Sequence, residues 1–253
     1  MPAPSERELV VLGAGPAYTD RLGATGAAYL VRRGDDAILL DLGQGSFPRL
    51  MAELEPSRLH AIVVSHLHPD HFIDLVSLRH YLVWERRNGD RVRVFAPAGL
   101  ADRIDALHAT PGFTAAAFDV EVLAPGTFVA GPFSVTAARV THTEDSYGFR
   151  VSQDGTGGLA YSGDCARAQD LDPLVRPDDT LLVEASFGPG PSPEGGPHLD
   201  GIAVGELAHR TRPSRVLLTH IQMGYDGQAT VEAVRQRYGG PVDLVEPGDR
   251  TAF

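Results

Sequence analysis

Ser65-His66-Leu67-His68-Pro69-Asp70-His71 follows directly on the apolar run Ala61-Ile62-Val63-Val64. Imidazole nitrogens and carboxylate oxygens are the ligands that a borderline metal such as zinc takes from protein. Three histidines and an aspartate fall within six consecutive residues here, and metal ligands come in such clusters. A strand feeding a tight His-rich loop aims those side chains outward at its end. The stretch reads as a metal loop.

The rest of the chain bounds what such a loop can belong to. Its 253 residues suffice for a large buried core, and 43% apolar with 22% charged residues is an ordinary globular composition. No apolar run approaches the roughly eighteen residues needed to span a bilayer. The opening residues are acidic and lack an apolar signal segment, and Cys165 stands alone, which excludes an internal disulfide framework. A cytoplasmic location is expected. A net charge of −11 argues against a broad polyanion-binding surface. Arg86, Arg87, Arg91 and Arg93 form one short basic cluster, read first as a solvated helix end and strand edge and second as a phosphate patch. There is no lysine among the 22 basic residues, which removes Schiff-base and Walker-lysine chemistry.

Taken in order, Leu9–Leu12 predicts a buried strand followed by Gly13-Ala14-Gly15-Pro16. The third glycine of a dinucleotide fingerprint is missing and another strand, 27–33, follows, so those glycines read as a tight turn near the metal pocket. Residues 28–31 and 37–40 predict a hairpin that closes on Asp41. An Asp ending a buried strand is costly unless hydrogen-bonded, so Asp41 either caps its loop or orients the metal loop. Helices are expected over 46–53, 73–87 (stopping at Asn88-Gly89), 97–108, 201–209 behind an Asp200 cap, and 230–238. Strands are expected over 91–96, 120–123, 133–136, 147–151, 159–162, 180–184, 215–219 and 242–246. The Gly/Pro-rich loop from Phe187 to Pro197 is suited to a lid. Two strand-rich blocks each lead into helices with no shift in composition. The expected fold is α/β, a four-layer αβ/βα sandwich in a single domain over residues 1–253.

His142, Asp164, Glu184 and His220 each close or follow an expected strand. With the His66–His71 loop, their order resembles the motif series of the metallo-β-lactamase-fold hydrolases, and the resemblance runs from Asp41 to His220. It implies that His66, His68 and His142 hold one metal, that Asp70, His71 and His220 hold the other, and that Asp164 bridges them. It also marks Asp41 as the residue behind the metal loop. Two divalent cations about 3.5–4 Å apart can share a hydroxide and clamp attacking and leaving oxygens. Zinc is the first choice, with manganese or iron also compatible with His/Asp ligands.

Within that superfamily, Thr141-His142-Thr143-Glu144-Asp145-Ser146-Tyr147-Gly148, Asp41-Leu42-Gly43-Gln44-Gly45 and Leu12-Gly13-Ala14-Gly15-Pro16 resemble the phosphodiesterase branch around ribonuclease Z. Glu184-Ala185-Ser186 with His198 resembles that branch's Glu-supported, non-ligand histidine, which protonates the leaving oxygen. Ser186 stands where the branch has Thr, and Leu199-Asp200 where it has Ser-Thr. The resemblance implies catalytic roles for Asp70, His198 and Glu184. Only about twenty residues separate His142 from Asp164. That leaves no room for a tRNA-gripping arm and argues against tRNA as a partner. The expected function is a dinuclear phosphodiesterase of small phosphodiesters or cyclic nucleotides, acting through a metal-held hydroxide. A thioesterase or lactonase at the same metals is the alternative, and a non-catalytic metal- or ligand-binding protein is the alternative of another class. The expected partners are a small-molecule substrate and, beyond that, at most a second copy of the chain as a homodimer; no membrane is involved. His60, His80, His108 and His209 read as ordinary surface or core residues.

Overall fold

The architecture is that of a computed structural model describing residues 7–86, 89, 91–153 and 157–253. One sheet contains β1 (Arg7–Gly13), β2 (Ala28–Arg33), β3 (Asp36–Leu40), β4 (Ala61–Val63), β5 (Val92–Ala96) and β6 (Phe118–Val122). The other contains β7 (Gly126–Ala130), β8 (Phe133–Arg139), β9 (Tyr147–Ser152), β10 (Leu159–Tyr161), β11 (Thr180–Glu184), β12 (Arg215–Thr219) and β13 (Val242–Leu244). β14 (Arg250–Ala252) returns to pair antiparallel with β1, so both sheets are seven-stranded: β14-β1-β2-β3-β4-β5-β6 and β13-β12-β11-β10-β9-β8-β7.

The strands read as continuous apolar runs because both faces of each sheet are covered. Alternation along a strand sends neighbours into different cores. Ile38 and Leu40 face the space between the sheets, where they meet Phe149, Tyr161 and Leu182. Leu39 faces outward onto Leu50 of α1 (Phe47–Glu53), Leu75 and Leu78 of α3 (Leu75–His80) and Ile104 of α4 (Leu100–His108). On the second sheet Val216 and Leu218 pack outward under Val204 and Leu207 of α5 (Gly201–Thr211) and Val231 and Val234 of α6 (Gly227–Arg235). Three apolar layers between four structural ones make the αβ/βα sandwich that the strand pattern predicts.

Several boundaries differ from the sequence-based expectation. The helix over 73–87 is α3 continued by a π-helical segment, Tyr81–Arg86, and its expected end at Arg87 and Asn88 lies outside the described residues. Gly99, at φ +89°, delays α4 until Leu100. α6 begins three residues early because Asp226 caps it, accepting from the Ala229 N–H at 2.9 Å. β7 and β14 were not expected: β7 is largely exposed and β14 has only three residues, so neither carries a readable apolar pattern. Of the basic cluster, Arg86, Arg91 and Arg93 are paired with Glu55, Asp119 and Glu121.

At the end of the second sheet opposite Asp164 and His220, Asp179 is fully buried. It accepts from Arg150 Nε and Nη2 (both 2.8 Å), from the Gly158 N–H (2.6 Å) and from the Arg176 N–H (3.0 Å). Asp179→Ala would strand a buried guanidinium and two amides. Urea denaturation should show a loss of about 3–5 kcal/mol.

Candidate metal centre

Every candidate ligand follows the C-terminal end of a strand at one edge of the sandwich. The His66–His71 loop leaves β4 and contains the short helix α2 (Pro69–Phe72), which brings Asp70 and His71 inward. His142 follows β8, Asp164 follows β10 and His220 follows β12. Close backbone approach holds the loop in place. Asp70 O accepts from Ala27 N–H (2.9 Å) and His71 O from Leu42 N–H (2.8 Å). A Cβ on Gly43 would lie 1.9 Å from Asp70 O, so only glycine fits there. The Gly13-Ala14-Gly15 turn has the expected position: Ala14 O accepts from the His220 N–H at 3.0 Å.

The side chains converge in two sets. His66, His68, His142 and Asp164 offer ligand atoms within 4.8 Å of one another, as do Asp70, His71 and His220. Asp164 faces both. Its Oδ2 is 3.7 Å from His66 Nε2 and 3.6 Å from His142 Nε2; its Oδ1 is 3.3 Å from His71 Nε2 and 3.6 Å from His220 Nε2. One carboxylate oxygen per set is the arrangement a bridging ligand requires.

Four buried polar atoms here make no hydrogen bond: His66 Nε2, His71 Nε2, Asp70 Oδ1 and Asp164 Oδ1. Leaving such groups unsatisfied costs about 1–3 kcal/mol each. All four belong to the converging sets, and imidazole nitrogens and carboxylate oxygens are the atom types that ligate metals. The donor set therefore fits divalent cations.

The second ring nitrogens of His66, His71, His142 and His220 are committed, which fixes their tautomers. Asp41 is fully buried and accepts from Ser65 N–H (2.6 Å), Ser65 Oγ–H (2.8 Å), Tyr161 O–H (2.7 Å) and His71 Nδ1–H (2.8 Å). Because Ser65 Oγ donates to Asp41, it accepts from His66 Nδ1 at 3.1 Å. Asp41 thus turns the Nε2 atoms of two histidines bare-edged into the site. It adopts φ +59°, an uncommon conformation for a non-glycine residue, and His220 adopts φ +61°. Of its two sequence readings, orientation of the metal loop is the one this geometry supports. Asp41→Asn should weaken metal binding about 10–100-fold in a chelator competition.

Glu184 plays the same part on the other side. Its Oε2 accepts from Ser186 N–H (3.0 Å) and Ser186 O–H, and Ser186 Oγ in turn accepts from His220 Nδ1 at 3.0 Å. Its Oε1 accepts from Cys165 N–H (2.7 Å) and from His198 Nδ1 (3.0 Å). Asp164, Glu184 and His198 also lie close enough to form a third donor group. The backbone and hydroxyl donors on Glu184 leave it poorly suited as a ligand, however. His142 Nδ1 donates to Pro197 O at 2.8 Å, tying the Gly/Pro-rich loop to the site.

Charges follow this layout. Burial disfavours a charged His71, yet the Asp164 and Asp41 carboxylates raise its pKa well above the ordinary range. Burial lowers His66 well below it. For Asp164, burial opposes ionisation, but His220 and His71 hold its pKa well below the usual carboxylate value. Burial also disfavours a charged His198, and Glu184 more than offsets that, raising it. Burial pushes the Cys165 thiol up, and Cys165 serves Glu184 through its backbone N–H alone.

Sequence reasoning missed the Ser65 and Ser186 hydroxyls as well as Arg103, whose Nη1 donates to Leu67 O (2.8 Å). It also missed an aromatic wall, in which Phe187 stands edge-on to His198 at 5.4 Å and 6.4 Å from Tyr225. Of the other histidines, His60 pairs with Asp36, and His80 and His108 pack on Phe113.

This constellation lies at the edge of a four-layer sandwich with the metallo-β-lactamase fold. The chain belongs to the family described as the beta-lactamase superfamily domain, whose model matches residues 36–221. An uncharacterized protein of Mycobacterium leprae is 29% identical over 233 residues, covering 88% of this chain and 81% of that protein. A ribonuclease Z of Pyrobaculum aerophilum is 25% identical over 292 residues, covering 96% of each. The crystal structure of the metallo-beta-lactamase fold protein YhfI from Bacillus subtilis superposes with a TM-score of 0.85 at 19% identity, covering 98% of this chain and 100% of that one. Among the described residues no helix is long and apolar enough to cross a membrane.

Proposed function

We propose that the chain is a metal-dependent hydrolase of small phosphodiesters, cyclic nucleotides included. His66, His68 and His142 would hold one divalent cation, Asp70, His71 and His220 a second, with Asp164 shared between them and zinc the first choice. Such cations supply Lewis acidity and lower the pKa of a water towards neutrality. The Asp70 carboxylate, one oxygen of which makes no hydrogen bond, would orient that water or accept its proton.

The observation that carries this reading is the His198–Glu184 pair. His198 Nδ1–H donates to the Glu184 carboxylate, which favours the doubly protonated ring, and in that form Nε2–H is the transferable proton; the ring is 4.8 Å from that of His142. A thiolate departs near neutral pH without help, its acid having a pKa of about 8.5, whereas an alkoxide needs a proton. A fixed acid beside the ligand set therefore favours an alcohol leaving group over a thiol. The relative named ribonuclease Z supports phosphodiester chemistry. Between His142 and Asp164 the described elements are β9 and β10, which supports small substrates over tRNA.

The test is turnover of bis(p-nitrophenyl) phosphate and of 2′,3′- and 3′,5′-cyclic nucleotides with added zinc or manganese. Metal-dependent hydrolysis of at least one is expected. Silence on all of them, or a thioester panel that runs faster, would overturn the proposal.

A further inference from the structure

A phosphodiester has two arms, and only one departs. We infer that this site distinguishes them: the arm retained on phosphorus bears hydroxyl groups and sits in the pocket beside His68, while the departing alcohol carries an aromatic ring that lies on Phe187 and Tyr225. This inference rests on the phosphodiesterase reading and on His198 as the proton donor.

The retained side is a pocket of about 310 Å³ lined by His68, Pro97, Arg103, Thr143, Glu144 and Asp145. Arg103 is anchored to the metal loop through Leu67 O, which leaves its other N–H groups to face the pocket. Asp145 is neutralised by Arg139. The Glu144 carboxylate has no ion pair among the described residues. A second anionic group would meet Arg103 and Glu144 at once, gaining from one and losing to the other. Hydroxyl groups suit both, accepting from a guanidinium and donating to a carboxylate. A polyol or sugar arm is therefore the better fit.

The departing side follows from where the proton is. Ring neighbours lead across the site from His68 to His142 (4.9 Å), His198 (4.8 Å), Phe187 (5.4 Å) and Tyr225 (6.4 Å). The leaving oxygen must come within hydrogen-bond reach of His198 Nε2. The group attached to it then runs over Phe187, on the side away from Arg103. Tyr225 continues that surface: it is 38% exposed, next to a 45% exposed Met223. Its ring is held against the bare backbone of Gly188, where a Cβ would fall 2.5 Å from the ring. An exposed, positioned aromatic face is a stacking surface.

In the step itself, water oxygen bonds to phosphorus and its proton passes to the Asp70 carboxylate. The bond from phosphorus to the aromatic arm's oxygen breaks, its electron pair leaves on that oxygen, and the proton on His198 Nε2 moves there. The products are a polyol monophosphate and an aromatic alcohol.

A mixed diester of glycerol and 2-phenylethanol, hydrolysed by the metal-supplemented protein beside an enzyme-free control, reads the direction from its products. Glycerol phosphate with 2-phenylethanol should exceed phenylethyl phosphate with glycerol by about tenfold or more. Tyr225→Ser should lower that ratio about fivefold to tenfold, and Arg103→Met on the order of tenfold. The ratio is internal to each reaction, so partial loss of folded protein does not move it. Equal or reversed products, or a ratio that neither substitution changes, would overturn the inference while leaving the phosphodiesterase reading intact. Absence of turnover on this diester and on bis(p-nitrophenyl) phosphate alike would overturn that reading, and the inference with it.

Discussion

Asp164→Asn should reduce bound metal from the proposed two ions per chain to one or none and lower kcat/KM for the proposed diester substrates by at least about a thousandfold. The substitution keeps the shape of a side chain that is 2% exposed, so the packing around it has little reason to change. What it removes is charge and one lone-pair-bearing oxygen. Asp164 stands between four imidazole Nε2 atoms, Oδ2 facing His66 and His142 and Oδ1 facing His71 and His220. An amide can offer an oxygen to one pair only, and it turns an N–H₂ donor on the other. Two like-charged cations would then share a site without the anion between them. Mass spectrometry of metal content alongside turnover is the check. A variant that keeps two ions and wild-type turnover would eliminate the bridging role.

That such a prediction can be made from one residue reflects how local the ligand signal is. His66, His68, Asp70 and His71 are adjacent in sequence because a single strand-to-helix loop delivers all of them. Asp164 and His220 are legible because each ends an apolar strand, where an ionisable residue has no packing reason to be. The sandwich was legible for a related reason: β3 is apolar at every buried position and β12 at every one but Thr219, and only covering both faces explains that.

What could not be read divides into two kinds. β7 and β14 are short edge strands whose pairing comes from their partners, so their residues show little alternation of their own. The second kind concerns residue types that are common everywhere. Ser65 and Ser186 matter because each passes a carboxylate's acceptance on to a histidine, Asp41 to His66 and Glu184 to His220. Serines are frequent in loops, and only the three-dimensional convergence singles these out. Arg103 was one arginine among many, and Tyr225 one aromatic in a loop; neither has spacing that points to the site. The positive φ of Asp41 and His220 was equally invisible, since nothing in the side chain announces it.

His198→Ala should separate substrates by leaving group. For diesters of simple alkanols, kcat should fall about 10²–10⁴-fold, the usual range for loss of a positioned general acid. For bis(p-nitrophenyl) phosphate the loss should be at least about tenfold smaller, because p-nitrophenolate departs near neutral pH without taking a proton. Metal content should stay at the wild-type level, since His198 Nδ1 is bound to Glu184 and His198 lies outside both ligand sets proposed here. The carboxylate that holds His198 also supports His220 through Ser186, so Glu184→Gln should behave differently. It should weaken metal retention as well as turnover, and its losses should not sort by leaving group. The pair of variants thus distinguishes a proton donor from a scaffold. If His198→Ala costs alkyl and p-nitrophenyl diesters equally, or strips metal, then His198 is a ligand or a structural residue. The alcohol-leaving-group argument for phosphodiesters would then lose its support.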